Sequence, residues 1–106
     1  MIKSNGKVAL ITGATEGIGF DIAKRLGKDG YTLVINGMNE AKGAEKLAEL
    51  IALGYSAEFA QFDVTDEDSV NSNVEAIGAK HGKIDVVVNN AGGLGGRSRF
   101  EEMTTE

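Results

Sequence analysis

The stretch that most restricts what this chain can become is Val8-Ala9-Leu10-Ile11-Thr12-Gly13-Ala14-Thr15-Glu16-Gly17-Ile18-Gly19. A short apolar run ends at a glycine, which reads as a strand buried on both faces. Beyond Gly17, the residues Ile18, Ile22, Ala23 and Leu26 recur at helical spacing, with Lys24, Arg25 and Lys28 toward the end, where cations suit the helix dipole. The turn between strand and helix carries three glycines with separate tasks. Gly13 permits a tight turn, Gly17 leaves room for a diphosphate to approach the backbone, and Gly19 lets the helix pack close to the strand. The free N–H groups of the helix's first turn and the positive end of its dipole favour an anion there, and Thr15 adds a hydroxyl donor.

The same alternation continues along the chain. Tyr31 to Asn36 reads as a second strand after a C-terminal stop at Gly30. Asn39 caps a helix with Ala44, Leu47, Ala48 and Ile51 on one face, and Gly54 ends it. Ala57 to Phe62 reads as a third strand. Thr65-Asp66-Glu67-Asp68 resembles a capping box in which the Asp68 carboxylate stands in for Glu or Gln. Val70, Val74 and Ile77 follow on one helical face, Gly82 stops it, and Ile84 to Asn89 reads as a fourth strand. The order β-α-β-α-β-α-β, with strands apolar on both faces, implies an α/β fold. It is a partial doubly wound, Rossmann-like parallel sheet with expected strand order 3-2-1-4.

Residues 1–92 are expected to form a dinucleotide-binding half-domain. Residues 93–106 are expected to hold a glycine-rich loop and, at Thr104-Thr105-Glu106, the start of a helix that the chain does not complete. That unfinished start, and the apolar Val86-Val87-Val88 edge that a fourth strand would leave uncovered, lead to the expectation of a truncated chain or of self-association. With 106 residues there is one domain at most.

Composition excludes several classes. With no cysteine, there is no disulfide framework, thiolate metal site or cysteine nucleophile. No apolar run approaches the roughly 18 residues of a membrane span, and the N-terminus lacks a secretory pattern, so no membrane partner is expected and the cytoplasm is the expected location. The net charge of −5 argues against a nucleic-acid partner. It sits in the second half: residues 1–53 have seven Lys/Arg and six Asp/Glu, residues 54–106 four and ten. No metal site is expected. His81, at the predicted end of the third helix, reads as a surface residue facing the dipole, and Arg97 and Arg99 as part of a solvated loop. A Walker A loop would need Gly-Lys-Ser/Thr, which is absent, and a receiver domain would need acids just after the first strand. A methyltransferase-like domain would place an acid at the end of the second strand, where Asn36-Gly37-Met38 has none.

Four features in order resemble the short-chain dehydrogenase/reductase family. They are Thr12 to Gly19 after the first strand, Asp63-Val64 after the third, Asp85 opening the fourth, and Asn89-Asn90-Ala91-Gly92 closing it. The resemblance covers nearly the whole chain. It implies that Gly13, Thr15 and Ile18 line the diphosphate and nicotinamide side. Asp63 would accept from the adenine amino group, with the Val64 backbone beside it. Asn90, Ala91 and Gly92 would pass along the ribose, while Asn89 braces the sheet. For Asp63, a helix-capping role near Thr65 is the alternative.

The resemblance also locates where NAD and NADP are told apart. The acid typical of NAD-preferring members is replaced by Gly37, and the basic residues typical of NADP-preferring members by Met38 and Glu16. Glu16 would oppose a 2′-phosphate, with Lys42 offsetting part of the repulsion, so the cofactor is NAD or NADP with a slight preference for NAD. The catalytic Asn, Ser and Tyr-x-x-x-Lys pair that the resemblance implies have no counterpart. Tyr31 and Tyr55 are followed four residues on by Ile35 and Phe59. No catalytic residue is therefore assigned. The expectation is the cofactor-binding portion of an NAD(P)-dependent oxidoreductase that interconverts an alcohol and a carbonyl, homo-oligomeric by resemblance. The small-molecule substrate would be engaged only in a longer parent, and this chain alone would be inactive. The alternative is a non-catalytic nucleotide-binding or interaction module.

Overall fold

The computed structural model describes residues 3–90. The elements alternate: β1 (Val8–Ile11), α1 (Gly17–Lys28), β2 (Thr32–Gly37), α2 (Glu40–Ala52), β3 (Ala57–Gln61), α3 (Glu67–His81) and β4 (Val86–Val88). The four strands pair in the order β3-β2-β1-β4, all parallel. Leu10 sits opposite Val34 on one side and Val87 on the other. The chain thus runs outward from β1 to β3 and then crosses back to place β4 on the far side of β1, the reversal that defines a doubly wound sheet.

Period-two alternation along each strand explains why both faces are apolar. Ala9, Ile11, Leu33 and Ile35 face α1 and α2, packing with Phe20, Ala23 and Leu50. Val8, Leu10 and Val34 face the other way and pack with Ile77 of α3 and Ile84. Leu10, Ile11, Leu33 and Ile35 are wholly buried, each contributing roughly 1.5–3 kcal/mol. Close packing against aromatic rings needs glycine at two helical positions. A Cβ on Gly27 would lie 2.6 Å from the Tyr55 ring, and one on Gly43 2.3 Å from the Phe59 ring.

Three local expectations are corrected. The cap of α3 is Asp66, whose side chain accepts from the Ser69 N–H at 3.2 Å. The Thr65 hydroxyl instead donates to Asp63, so no Thr65–Asp68 capping box forms. Strand β3 ends at Gln61, and β4 covers only Val86–Val88. Asp85 still extends the pairing: its N–H donates to the Val8 carbonyl and its carboxylate accepts from the Val8 N–H at 2.8 Å. Finally, His81 is not a surface group. Its side chain is 16% exposed and its Nε2 lies 3.3 Å from a Glu58 oxygen on β3. Burial opposes ionisation of Glu58, but the hydrogen bond from Lys80 and the neighbouring His81 ring outweigh it and hold its carboxyl below the usual range.

Val86–Val88 are half-buried, and the outer edge of β4 has no strand beside it among the described residues. The glycine-rich segment, Arg97, Arg99 and the helix start at Thr104 lie outside the described residues. No described helix is long and apolar enough to cross a membrane.

Candidate functional site

All strands are parallel, so their C-terminal ends gather at one edge of the sheet. An open cleft of about 340 Å³ lies there, within the range of small-molecule sites. The β1–α1 loop supplies Gly13, Thr15 and Glu16 to it. The end of β2 supplies Asn36, Gly37, Met38 and Asn39, α2 supplies Lys42, and the end of β3 supplies Phe62 and Val64.

The loop's shape follows from its glycines. Gly13 has φ 58° and Gly17 φ 60°, left-handed values that side chains resist. A Cβ on Gly17 would meet nothing within 4 Å, so this backbone is open to the outside. Gly19 is the opposite case. A Cβ there would fall 2.2 Å from the Gly13 carbonyl oxygen and 2.6 Å from Asn90 Nδ2. Gly19 therefore packs against the turn and the end of the fourth strand segment, rather than against β1 itself.

Asn36 and Thr12 hold the loop from beneath. Asn36 is 2% exposed; its Oδ1 accepts from the Gly13 N–H, and its Nδ2 donates to the carbonyls of Ala60 and Phe62. One side chain thus ties the ends of three strands together. Thr12 Oγ1 accepts from the Asn90 N–H at 2.9 Å and lies 3.3 Å from Asn89 Oδ1, which places Asn89 in the brace between β1 and β4. Asn90 Nδ2 donates to the Gly13 carbonyl. Asn90 meets the loop in this way, while Ala91 and Gly92 lie outside the described residues.

The three helix starts differ in their electrostatics. Asn39 caps α2 and Asp66 caps α3, and each helix carries acids in its first turn: Glu40 in one, Glu67 and Asp68 in the other. The N-cap of α1 is Glu16, whose side chain makes no capping bond, and its first turn holds no acid. The Glu16 carboxylate turns away to Lys42 Nζ at 3.0 Å. The amide end of α1 therefore has neither a side-chain cap nor an acid in its first turn.

Other expected residues are placed as follows. Thr15 is 8% exposed and packs against the end of β2; a Cβ on Gly37 would lie 2.6 Å from Thr15 Cγ2. Ile18 is 71% exposed on the first turn of α1 and is not among the residues lining the cleft. Met38 is 58% exposed at the rim, its carbonyl accepting from Gln61 Nε2. Asp63 lies between the lining residues Phe62 and Val64. Its Oδ1 accepts from the Thr65 hydroxyl at 2.6 Å and the Thr65 N–H at 2.9 Å, and these bonds hold its carboxyl below the ordinary range. Sequence reading did not single out Asn36, Asn39 or Phe62 as site residues. An amide closing an otherwise apolar buried strand was the available sign for Asn36. Among the described residues, no group of three or more His, Cys, Asp or Glu is placed to hold a metal ion.

The family model for short chain dehydrogenase matches residues 7–106. The chain is 43% identical over 97 residues to a 3beta-hydroxysteroid dehydrogenase of Mediterraneibacter gnavus, covering 92% of this chain and 35% of that protein. Two solved structures superimpose on it. One is an actinorhodin polyketide ketoreductase variant with NADPH, with TM-score 0.78 and 38% identity over 85% of this chain and 34% of that one. The other is a metagenomic short-chain oxidoreductase in complex with NADP, with TM-score 0.79 and 35% identity over 92% of this chain and 47% of that one. The chain thus spans between about a third and a half of the length of these relatives.

Proposed function

Because this chain belongs to the short chain dehydrogenase family, we propose that it is the cofactor-binding portion of an NAD(P)-dependent oxidoreductase that interconverts an alcohol and a carbonyl. The observation that carries this reading is the uncapped start of α1, set against the two left-handed glycines of its loop. Each of the other two helices satisfies one first-turn amide with its own cap side chain, the Lys42 N–H in α2 and the Ser69 N–H in α3. Among the described helices, α1 alone has no side-chain cap, and a diphosphate has the charge and acceptor oxygens to take its place. The site sits at the C-terminal edge beside the strand-order reversal, where doubly wound sheets bind nucleotides.

A dinucleotide fits the residues present. Gly13 and Gly17 let the backbone approach the diphosphate, Thr15 and Gly37 shape the floor, and Gly19 keeps the loop tight against Asn90. Met38, Val64 and the Phe62–Asp63 turn line the end that would take the adenosine, and Asn90, Ala91 and Gly92 would continue along the ribose toward the nicotinamide. Ile18, exposed on α1, would face that nicotinamide half. When bound, the nicotinamide supplies the hydride. These residues hold it in place and exclude water from one side.

The 106-residue chain on its own binds but does not turn over. Tyr31 precedes β2 and Tyr55 precedes β3, so both stand at the N-terminal edge of the sheet, opposite the cleft. Neither reaches a substrate oxygen as a general acid. Isothermal calorimetry with NAD and NADP tests the binding reading. We expect saturable one-to-one heats with protein of native circular dichroism. No heat at millimolar dinucleotide in such a sample overturns the assignment. The paired activity assay expects no turnover with any alcohol.

A further inference from the structure

The cleft-lining residues include one carboxylate and one ammonium, Glu16 and Lys42, and the two are bound to each other at 3.0 Å. Lys42 sits in the first turn of α2, next to the capped N-terminus at Asn39. Glu16 sits across the cleft mouth at the start of α1. The pair therefore bridges the two loops that would flank a bound ribose. In doubly wound folds, the end of the second strand is where a ribose 2′-hydroxyl meets an acid or a 2′-phosphate meets a cation. Neither device is available on β2 here. Gly37 has no room for a side chain because Thr15 Cγ2 occupies the place of its Cβ, and Met38 carries no charge.

Building on the dinucleotide reading above, we propose that Lys42 is the cation that receives the 2′-phosphate of NADP. Glu16 competes with that phosphate for Lys42, so the ion pair sets the choice between NADP and NAD. The pair is suited to exchange. The Lys42 side chain is 42% exposed and the Glu16 side chain 72%, so water and salt screen their attraction. A phosphate near the start of α2 carries more charge than a carboxylate and also meets the positive end of the helix dipole. Glu16 is free to swing into solvent when it is displaced. With NAD there is no rival and the pair stays closed. The native pair thus restrains NADP binding by occupying Lys42, not by direct repulsion of the phosphate.

The test is the ratio of NADP to NAD affinity, measured by calorimetry on the protein and three variants. Glu16→Gln should raise NADP affinity relative to NAD about tenfold, and Lys42→Gln should lower it about tenfold. The Glu16→Gln/Lys42→Gln double variant should match Lys42→Gln alone. An unchanged ratio in Glu16→Gln, or equal loss of both dinucleotides in Lys42→Gln, would overturn the proposal. So would a Glu16→Gln effect that persists without Lys42. Both side chains are exposed, and circular dichroism confirms folding of each variant. If the unsubstituted protein binds neither dinucleotide, the broader assignment falls as well. If it binds them with a ratio indifferent to both residues, only this inference falls.

Discussion

Asn36 is the residue on which the cleft most depends. It is buried among apolar strands, and its amide satisfies the Gly13 N–H and two carbonyls at the end of β3. Asn36→Leu keeps the volume but strands three backbone groups, at a cost of about 2–4 kcal/mol in urea unfolding. Gly37 and Thr15 are coupled by contact. Gly37→Ala should destabilise by about 1–3 kcal/mol, and Thr15→Ser, which removes the opposing methyl, should recover part of that. Two carboxylates tie stability to pH. A hydrogen bond from Thr65 depresses Asp63, and one from the Val8 N–H depresses Asp85 against an opposing desolvation. Each is more acidic folded than unfolded. Their contribution is present above the unfolded Asp value, near pH 4, and is lost as pH falls through the lower folded values. The urea midpoint should therefore drop as pH is lowered below about 4. Asp85→Asn, which still accepts from Val8 but cannot titrate, should make that drop shallower.

At the scale of the elements, capping separates the helices by role. Asn39→Ala and Asp66→Ala should each cost about 1 kcal/mol, because each removes a cap that the helix uses for its own stability. Glu16→Ala removes no cap and should change stability by only a few tenths of a kcal/mol, a contrast that chemical denaturation resolves. Element order was legible in the sequence because each βαβ unit writes its own period: apolar runs on the strands, spaced apolar residues on the helices, glycine at the stops. Gly30, Gly54 and Gly82 do adopt left-handed backbone where helices end. The start of α3 was misjudged by one residue because Thr65 and Asp66 are both good caps. Asp63, two residues earlier in the sequence, claims the Thr65 hydroxyl and leaves the cap to Asp66. The Asn36 bracket and the Glu16–Lys42 bridge are long-range contacts, 23 and 26 residues apart for their key bonds. No local pattern marks them, and only the strand order brings them together.

For the whole molecule, the sheet places an open cleft at one edge, and among the described residues β4 is an outer strand. Backbone groups along Val86–Val88 that face away from β1 have no strand beside them among the described residues. An apolar edge of this kind pairs readily with another chain. The 106-residue chain should therefore sediment as a dimer or larger species, and a monodisperse monomer across the micromolar range would contradict that expectation.

In the proposed function, the amides between Gly13 and Gly19 bind the diphosphate, in place of the cap that α1 lacks. Amide chemical-shift mapping by NMR during titration with NAD tests this residue by residue. The Gly13, Gly17, Ile18 and Gly19 amides should shift most and saturate together, while the amides at the starts of α2 and α3 move less. Saturable shifts centred away from the β1–α1 loop, or none at millimolar NAD in folded protein, would contradict it.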